Sequence, residues 1–208
     1  MFYSQNNEDQ IVAQYFQGKD TTNFTLLDIG ANDGKTFSNS LHLIENGWNG
    51  VLFEPSPKAF ALLQELHKDN EKVECLNYGL ALFNGEKRFY ESGGYKNGED
   101  VCLYSSLDEE ETKKWGDDVK FKEISADFIT WSDFRATRKN QNYEFISIDA
   151  EGMDWIILNM IDLNEVNCQC LCVEYNSDLL LQAKMFKYVL SFGMKFHQKN
   201  AENLIFIR

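Results

Sequence analysis

Residues 26–36 read LLDIGANDGKT: two leucines and an isoleucine around Asp28, then a turn carrying Gly30 and Gly34 that ends in Lys35 and Thr36. A short apolar run closed at once by glycine reads as a buried strand feeding a tight turn. An acid at the strand tip, with bare backbone just beyond it, decides which α/β fold is built and which ligand it takes.

Working outward, apolar runs rich in Val, Ile, Leu and Phe recur at FTLLDI, GVLFE, KVECLN, YEFISID, CLCVE, MKFH and LIFIR. Between most of them lie amphipathic or mixed stretches at 41–45, 57–68, 153–162 and 178–192. Strands alternating with helices imply an α/β fold whose mainly parallel sheet is covered on both faces. Ser38 can cap the helix after the glycine turn and Gly47 can close it. Asn6 and Asp9 place a cap and an acid at the start of a first helix, with Ile11, Val12, Tyr15 and Phe16 as its apolar stripe.

From Leu80 to Asp127 the alternation breaks. Asn84-Gly85 between LALF and KRFY signals a hairpin, followed by a Gly, Asn and Asp-rich patch over 92–100. The acidic run at 108–111 reads as a solvated helix face. No repeat or linker interrupts the 208 residues, so a single domain over 1–208 is expected, with a substrate-side insertion around 91–127.

Composition narrows the partners. A formal charge of −13 repels polyanions, which argues against nucleic acid and against an anionic membrane. No apolar run approaches the ~20 residues of a membrane span, and MFYSQNNEDQ lacks the features of an export signal, so a cytoplasmic protein is expected. Nothing in the composition speaks to oligomeric state. Of five cysteines, Cys168, Cys170 and Cys172 alternate along one run. On a strand they would share a face, as small apolar fillers against a helix rather than as metal ligands.

Several ligands compete for the glycine turn. A phosphate loop needs G-x-x-x-x-G-K-[ST], and Gly30 to Lys35 is one residue short, with Asp33 opposing phosphate charge. Its runner-up reading, a nucleotide-binding protein, borrows FISID as a second strand. A dinucleotide fingerprint needs glycine where Asn32 stands. A calcium loop needs an oxygen ligand where Gly30 stands. S-adenosylmethionine has a cationic head, a nucleoside and no phosphate, so Asp28 favours it and small residues let the backbone approach. GVLFEP then supplies Glu54 at the next strand end, where a carboxylate can accept both ribose hydroxyl protons.

The other chemically loaded stretch is FISIDAEGMDW at 145–155. Asp149 and Glu151 follow an apolar strand, and Gly152 lets the chain turn before a helix begins near Asp154. Either carboxylate could take a proton from a substrate hydroxyl. Asp149 and Glu151 also have the chemistry to hold a divalent ion, but no metal site is assigned.

These blocks, in this order, carry a resemblance: SQNNEDQ, LLDIGANDGKTFSNS, GWNGVLFEPSP, the SSL at 105–107 and ISIDAEGMD resemble the FkbM family of S-adenosylmethionine-dependent methyltransferases over most of residues 4–175. The resemblance implies the class I methyltransferase fold, a Rossmann-like doubly wound sheet, mostly parallel, with MKFH and LIFIR as a C-terminal antiparallel hairpin. It implies that Asp28, Gly30, Asn32 and Gly34 line the methionine end of S-adenosylmethionine, that Glu54 holds the ribose, that Asn77, Gly79 and Leu80 border the adenine and that Ser38 is a further cofactor-binding residue. Gln5 and Glu8 match the family's N-terminal block and would close over the cofactor. Asp149 and Glu151 match its Asp-x-Glu-Gly, which implies contact with cofactor or substrate there, Asp149 being counted among the cofactor-binding residues. The family's acceptors imply O-methylation of a sugar, glycan or small-metabolite hydroxyl by in-line displacement, with Asp149 or Glu151 as base and His197 as an outsider. A non-catalytic protein that merely keeps the fold is the alternative.

Overall fold

The apolar runs become strands almost residue for residue in the computed structural model, which describes residues 1–93, 102–138 and 141–208. In chain order the first half comprises α1 (Glu8–Phe16), β1 (Thr25–Ile29), α2 (Leu41–Glu45), β2 (Asn49–Phe53), α3 (Pro57–His67), β3 (Val73–Leu76), β4 (Gly79–Leu80) and β5 (Gly85–Ser92). The second half comprises α4 (Glu109–Lys113), β6 (Phe121–Ile129), α5 (Trp131–Ala136), β7 (Phe145–Ile148), α6 (Asp154–Leu158), β8 (Cys170–Glu174), α7 (Leu179–Ser191), β9 (Lys195–Lys199) and β10 (Asn203–Ile207).

The main sheet has the order β3-β2-β1-β7-β8-β10-β9. Its first five strands are parallel, and β10 runs antiparallel to both β8 and β9. This is the class I methyltransferase arrangement, with the antiparallel C-terminal hairpin that the resemblance implies. Alternation along each strand sorts side chains to two cores. Leu26, Leu52, Phe145, Cys170 and Cys172 pack with Val12 and Phe16 of α1 and Leu63 of α3. Leu27, Val51, Phe53, Ile146 and Val173 pack with Phe134, Ile157 and Met185 on the opposite face. Leu26 and Leu27 are both fully buried, each contributing about 1.5–3 kcal/mol by removal from water. Helices therefore cover both faces, as parallel strands require.

Where the structure departs from the pattern reading, the reasons are local. Asn7, not Asn6, is the residue before α1; it has φ 67° and makes no side-chain cap, while the Asn6 N–H donates to Glu8 at 2.8 Å. Ser38 does serve the start of α2, its hydroxyl accepting from the Leu41 N–H at 3.0 Å. The expected hairpin at Asn84-Gly85 does not form. β6 inserts between β4 and β5 in a separate three-stranded sheet, because β6 supplies partners to both, parallel to β4 and antiparallel to β5. The turn-rich patch over 92–100 lies largely outside the described residues. Helix α6 is shorter than the pattern predicts, stopping at Leu158. Cys168 precedes β8 and joins the second core, so only Cys170 and Cys172 share a face. Among the described residues, no helix is long and apolar enough to cross a membrane.

Candidate functional site

Strand order reverses at β1: the chain leaves it toward β2 and β3, then returns to place β7 on its other side. Diverging loops at such a point open a crevice beyond the carboxyl ends of the strands. Here that crevice is a cavity of about 430 Å³. Its walls come from the loops after β1, β2, β7 and β8, the N-terminal segment, the β9–β10 turn and the three-stranded sheet.

Gly30 makes the crevice possible. Its N–H and that of Ala31 donate to the Phe53 carbonyl at 3.0 and 2.9 Å, while Asp149 N–H donates to the Ile29 carbonyl at 2.9 Å. The β1, β2 and β7 ends are thus stitched together around a residue with φ +87°, whose added Cβ would lie 1.7 Å from the Asp149 carbonyl oxygen. Only glycine fits this close approach.

On the β1–β2 wall, each acid has its own donors. Ser40 Oγ donates to Asp28 Oδ2 at 2.5 Å. Glu54 accepts the Asn32 N–H at 2.9 Å and the Ser56 N–H at 2.7 Å. Burial raises Asp28 to about 6, against the Ser40 and Ser147 hydroxyls that hold it down. Burial likewise raises Glu54 to about 7, offset by the two N–H donors and reinforced by the charge of Asp28. Between these acids sits Asn32, with φ 50° and both polar atoms of its side chain buried without a hydrogen-bond partner among the described residues. An unpaired buried amide is costly, and a ligand is the natural partner.

The β7–β8 wall is different. Asp149, Glu151 and Glu174 line it, with Asp154 buried against Asp149 and Glu174, and burial, together with their mutual repulsion, raises Asp149, Glu151 and Glu174 far above ordinary carboxylates. Asp154 is raised to about 6 by burial, with the Ala150 and Gly152 N–H groups opposing that rise. Glu151 occupies a left-handed backbone position, φ 44°, and its carbonyl accepts the Ser106 hydroxyl at 2.6 Å. The SSL run therefore pins the turn that aims Glu151.

Of the residues singled out from sequence, Gln5, Glu8, Asp28, Gly30, Asn32, Ser38, Glu54, Gly79, Leu80, Asp149 and Glu151 all line this cavity. Glu8 is held as a carboxylate: burial works against it, but donors from Asn6, Asn200 and Asn203 outweigh that and lower its pKa. Gly34 and Asn77 do not reach the cavity. Gly34 has φ +77° and packs on α3, where an added Cβ would meet Leu63 Cδ1 at 2.6 Å. Asn77 spends its amide on the Glu54 and Pro55 carbonyls, at 2.8 and 3.2 Å. His197 is exposed on edge strand β9, away from the cavity. Glu111, read as part of a solvated helix face, instead turns into the cavity beside Gly152.

Glu174, Glu202, Tyr104 and Trp115 also line it and were missed. For Glu174 a signal existed, since it ends CLCVE as Glu54 ends GVLFE. Tyr104 and Trp115 lie with ring centroids 4.1 Å apart and planes tilted by 40°, a contact across eleven residues that no local pattern announces. As a phosphate loop the glycine turn fails on geometry as well as on count, because Asp33 accepts the Lys35 and Thr36 N–H groups at 2.8 and 2.7 Å. Those are donors a phosphate would need.

A family model described as Methyltransferase FkbM domain matches residues 28–196. No curated protein matches the chain in sequence. Among solved structures, the methyltransferase FkbM from Methylobacillus flagellatus KT superposes with a TM-score of 0.58 at 11% identity, covering 97% of this chain and 48% of that one. The chain thus spans about half the length of that relative. The METTL16 MTase domain superposes with a TM-score of 0.55 at 10% identity over 96% of this chain and 65% of its own. The precorrin-6y C5,15-methyltransferase from Geobacter metallireducens GS-15 gives 0.50 at 10% identity, over 96% and 86%. At these identities the likeness is one of fold.

Proposed function

The chain belongs to the FkbM methyltransferase family, and from that premise we propose that it is an S-adenosylmethionine-dependent O-methyltransferase acting on a hydroxyl of a sugar, glycan or small metabolite. One observation carries the cofactor reading. Two buried acids at neighbouring strand ends, Asp28 and Glu54, bracket a glycine turn in which both polar atoms of the Asn32 side chain lack partners. That chemistry suits a cationic, phosphate-free nucleoside. S-adenosylmethionine, when bound, supplies a methyl group on a positively charged sulfur. Glu54 would accept the ribose hydroxyls, Asp28 would face the cationic amino-acid end, and Gly79 and Leu80 would border the base.

On the acceptor side the chain's own task is to orient a hydroxyl and remove its proton. Asp149 lies against Glu174 and Asp154, so Glu151 is the freer base. Its raised pKa brings it nearer the working range of a general base. Acidic walls disfavour phosphorylated or uronate acceptors, whereas the Tyr104–Trp115 pair offers an aromatic face to a neutral sugar ring.

Calorimetry tests the cofactor. S-adenosylmethionine and S-adenosylhomocysteine should both give saturable heat, and ATP should give none beyond the heat of magnesium alone. A folded sample that gives no heat at millimolar S-adenosylmethionine would remove the proposal. Transfer of a labelled methyl group to a panel of neutral and anionic sugars then tests the acceptor class.

A further inference from the structure

The β7–β8 wall poses a problem that the methyl-transfer reading does not solve. One carboxylate oxygen from each of Asp149, Asp154 and Glu174 lies within 4.8 Å of the other two. Glu151, Glu202 and Glu111 add negative charge around them. Among the described residues, Lys114 is the one Lys or Arg on the cavity wall, and it is paired with Glu111 at 2.6 Å.

A second observation points to what completes the cluster. Glu174 is 7% exposed, lines the cavity, and has its Oε2 buried with no donor among the described residues. An ionised carboxylate only accepts, so a neighbouring carboxylate cannot satisfy it; a proton or a cation can. Asp154 is already aimed, both its oxygens accepting backbone N–H groups, from Ala150 and Gly152 at 2.8 and 3.1 Å.

The three donors are all carboxylate, which selects a hard cation. Opposite ligands stand about 4.2 Å apart around Mg²⁺ and roughly 4.6–5.2 Å apart around Ca²⁺. Three oxygens each within 4.8 Å of the others are spaced on the scale of such a ligand set. We propose that Asp149, Asp154 and Glu174 form a binding site for a hard divalent cation whose remaining coordination positions open into the cavity. An ion there leaves Glu151 outside the ligand set and presents its open positions to an acceptor's oxygens. The site stands independently of the cofactor reading, because its test uses the protein alone.

Chelator-stripped protein, without S-adenosylmethionine, is titrated with Mn²⁺ or Mg²⁺ by calorimetry while thermal midpoints are followed. Binding of one ion per chain is expected, with a midpoint rise of roughly 5–10 °C when metal exceeds its Kd a hundredfold. Glu174→Gln should raise the midpoint of the metal-free protein, by relieving repulsion, and abolish the metal-dependent rise. If that variant does not fold, Asp149→Asn serves the same comparison. The proposal is overturned if folded wild-type protein gives no saturable heat and no midpoint change at millimolar metal, which would mean that a shared proton holds the cluster together. It is equally overturned if folded variants bind the ion as wild type does. S-adenosylmethionine is titrated separately, so failure of one site is read apart from failure of the other.

Discussion

The two walls of the cavity are built from the same side-chain chemistry at equivalent strand ends, yet they behave differently. On the β1–β2 side, Asp28 and Glu54 each receive dedicated N–H or O–H donors. On the β7–β8 side, Asp149 and Glu174 face one another, and only Asp154 has backbone donors. Donors oppose the effect of burial and favour the carboxylate form, the one that takes a hydroxyl or cationic ligand. Acids crowded without donors must bind protons or a cation, which suits them to proton transfer and metal binding. The supply of donors, rather than residue type, separates the two walls, and in the proposed function the first binds and the second reacts.

The seam between the walls is Gly30, and disrupting it should have the largest effect. Gly30→Ala places a Cβ 1.7 Å from backbone and forces alanine to φ +87°. A loss of at least about 3–4 kcal/mol is expected from strain and broken strand-end hydrogen bonds. Thermal and urea unfolding would read it, and a variant as stable as wild type would mean the walls are not joined there.

Next in size is the reactive wall itself. Glu151→Gln should lower kcat by about 10²–10⁴ while leaving the S-adenosylhomocysteine Kd within about twofold. Single-turnover kinetics beside calorimetry would show it, and equal losses in both would assign Glu151 to the binding wall.

Glu54→Gln is the counterpart on the other side. Gln can still accept one backbone N–H but loses a charge-assisted acceptor, so cofactor affinity should fall about 10–100-fold with the fold intact. Gly34→Ala should do the reverse, costing about 1–3 kcal/mol through its contact with Leu63 at 2.6 Å and its positive φ, with no change in cofactor Kd.

The most gradual effect is in pH. Glu54 titrates near 7 in the folded protein against 4.5 for the ordinary group, because burial favours its protonated form. The unliganded protein therefore has this contribution to stability in full below about 4.5 and loses it as pH rises through about 7. Ribose hydroxyls need the carboxylate, so binding releases a proton and affinity runs the opposite way, falling about tenfold per unit below pH 7. Opposed slopes in a melting series and a calorimetric series are the signature. Parallel slopes would place the titrating acid outside the binding wall.

Much of this was legible along the chain. The fold was readable because parallel strands buried on both faces must be continuous apolar runs, and each run here is bounded by glycine, acid or turn residues. Asp28, Glu54 and Asp149 were readable because an acid ending such a run has few structural uses. The hairpin at Asn84-Gly85 misled because turn chemistry specifies a reversal but not which strand will pair. β6, some forty residues later, out-competes β4 as the partner of β5. Gly34 misled because a glycine required for packing on α3 looks, in sequence, like one required for a ligand.

The sequence by itself determined the strands of the main sheet and the acids at the tips of β1, β2 and β7, since hydrophobic periodicity and turn residues are local properties. Tertiary structure alone decided which acids would have donors and which would face each other, because that depends on loops from distant parts of the chain arriving at one sheet edge. Ser40 reaches Asp28, the Asn32 backbone reaches Glu54, and Ser106 reaches the Glu151 turn. Electrostatic environment is set by such long-range neighbours, and no window along the chain contains them.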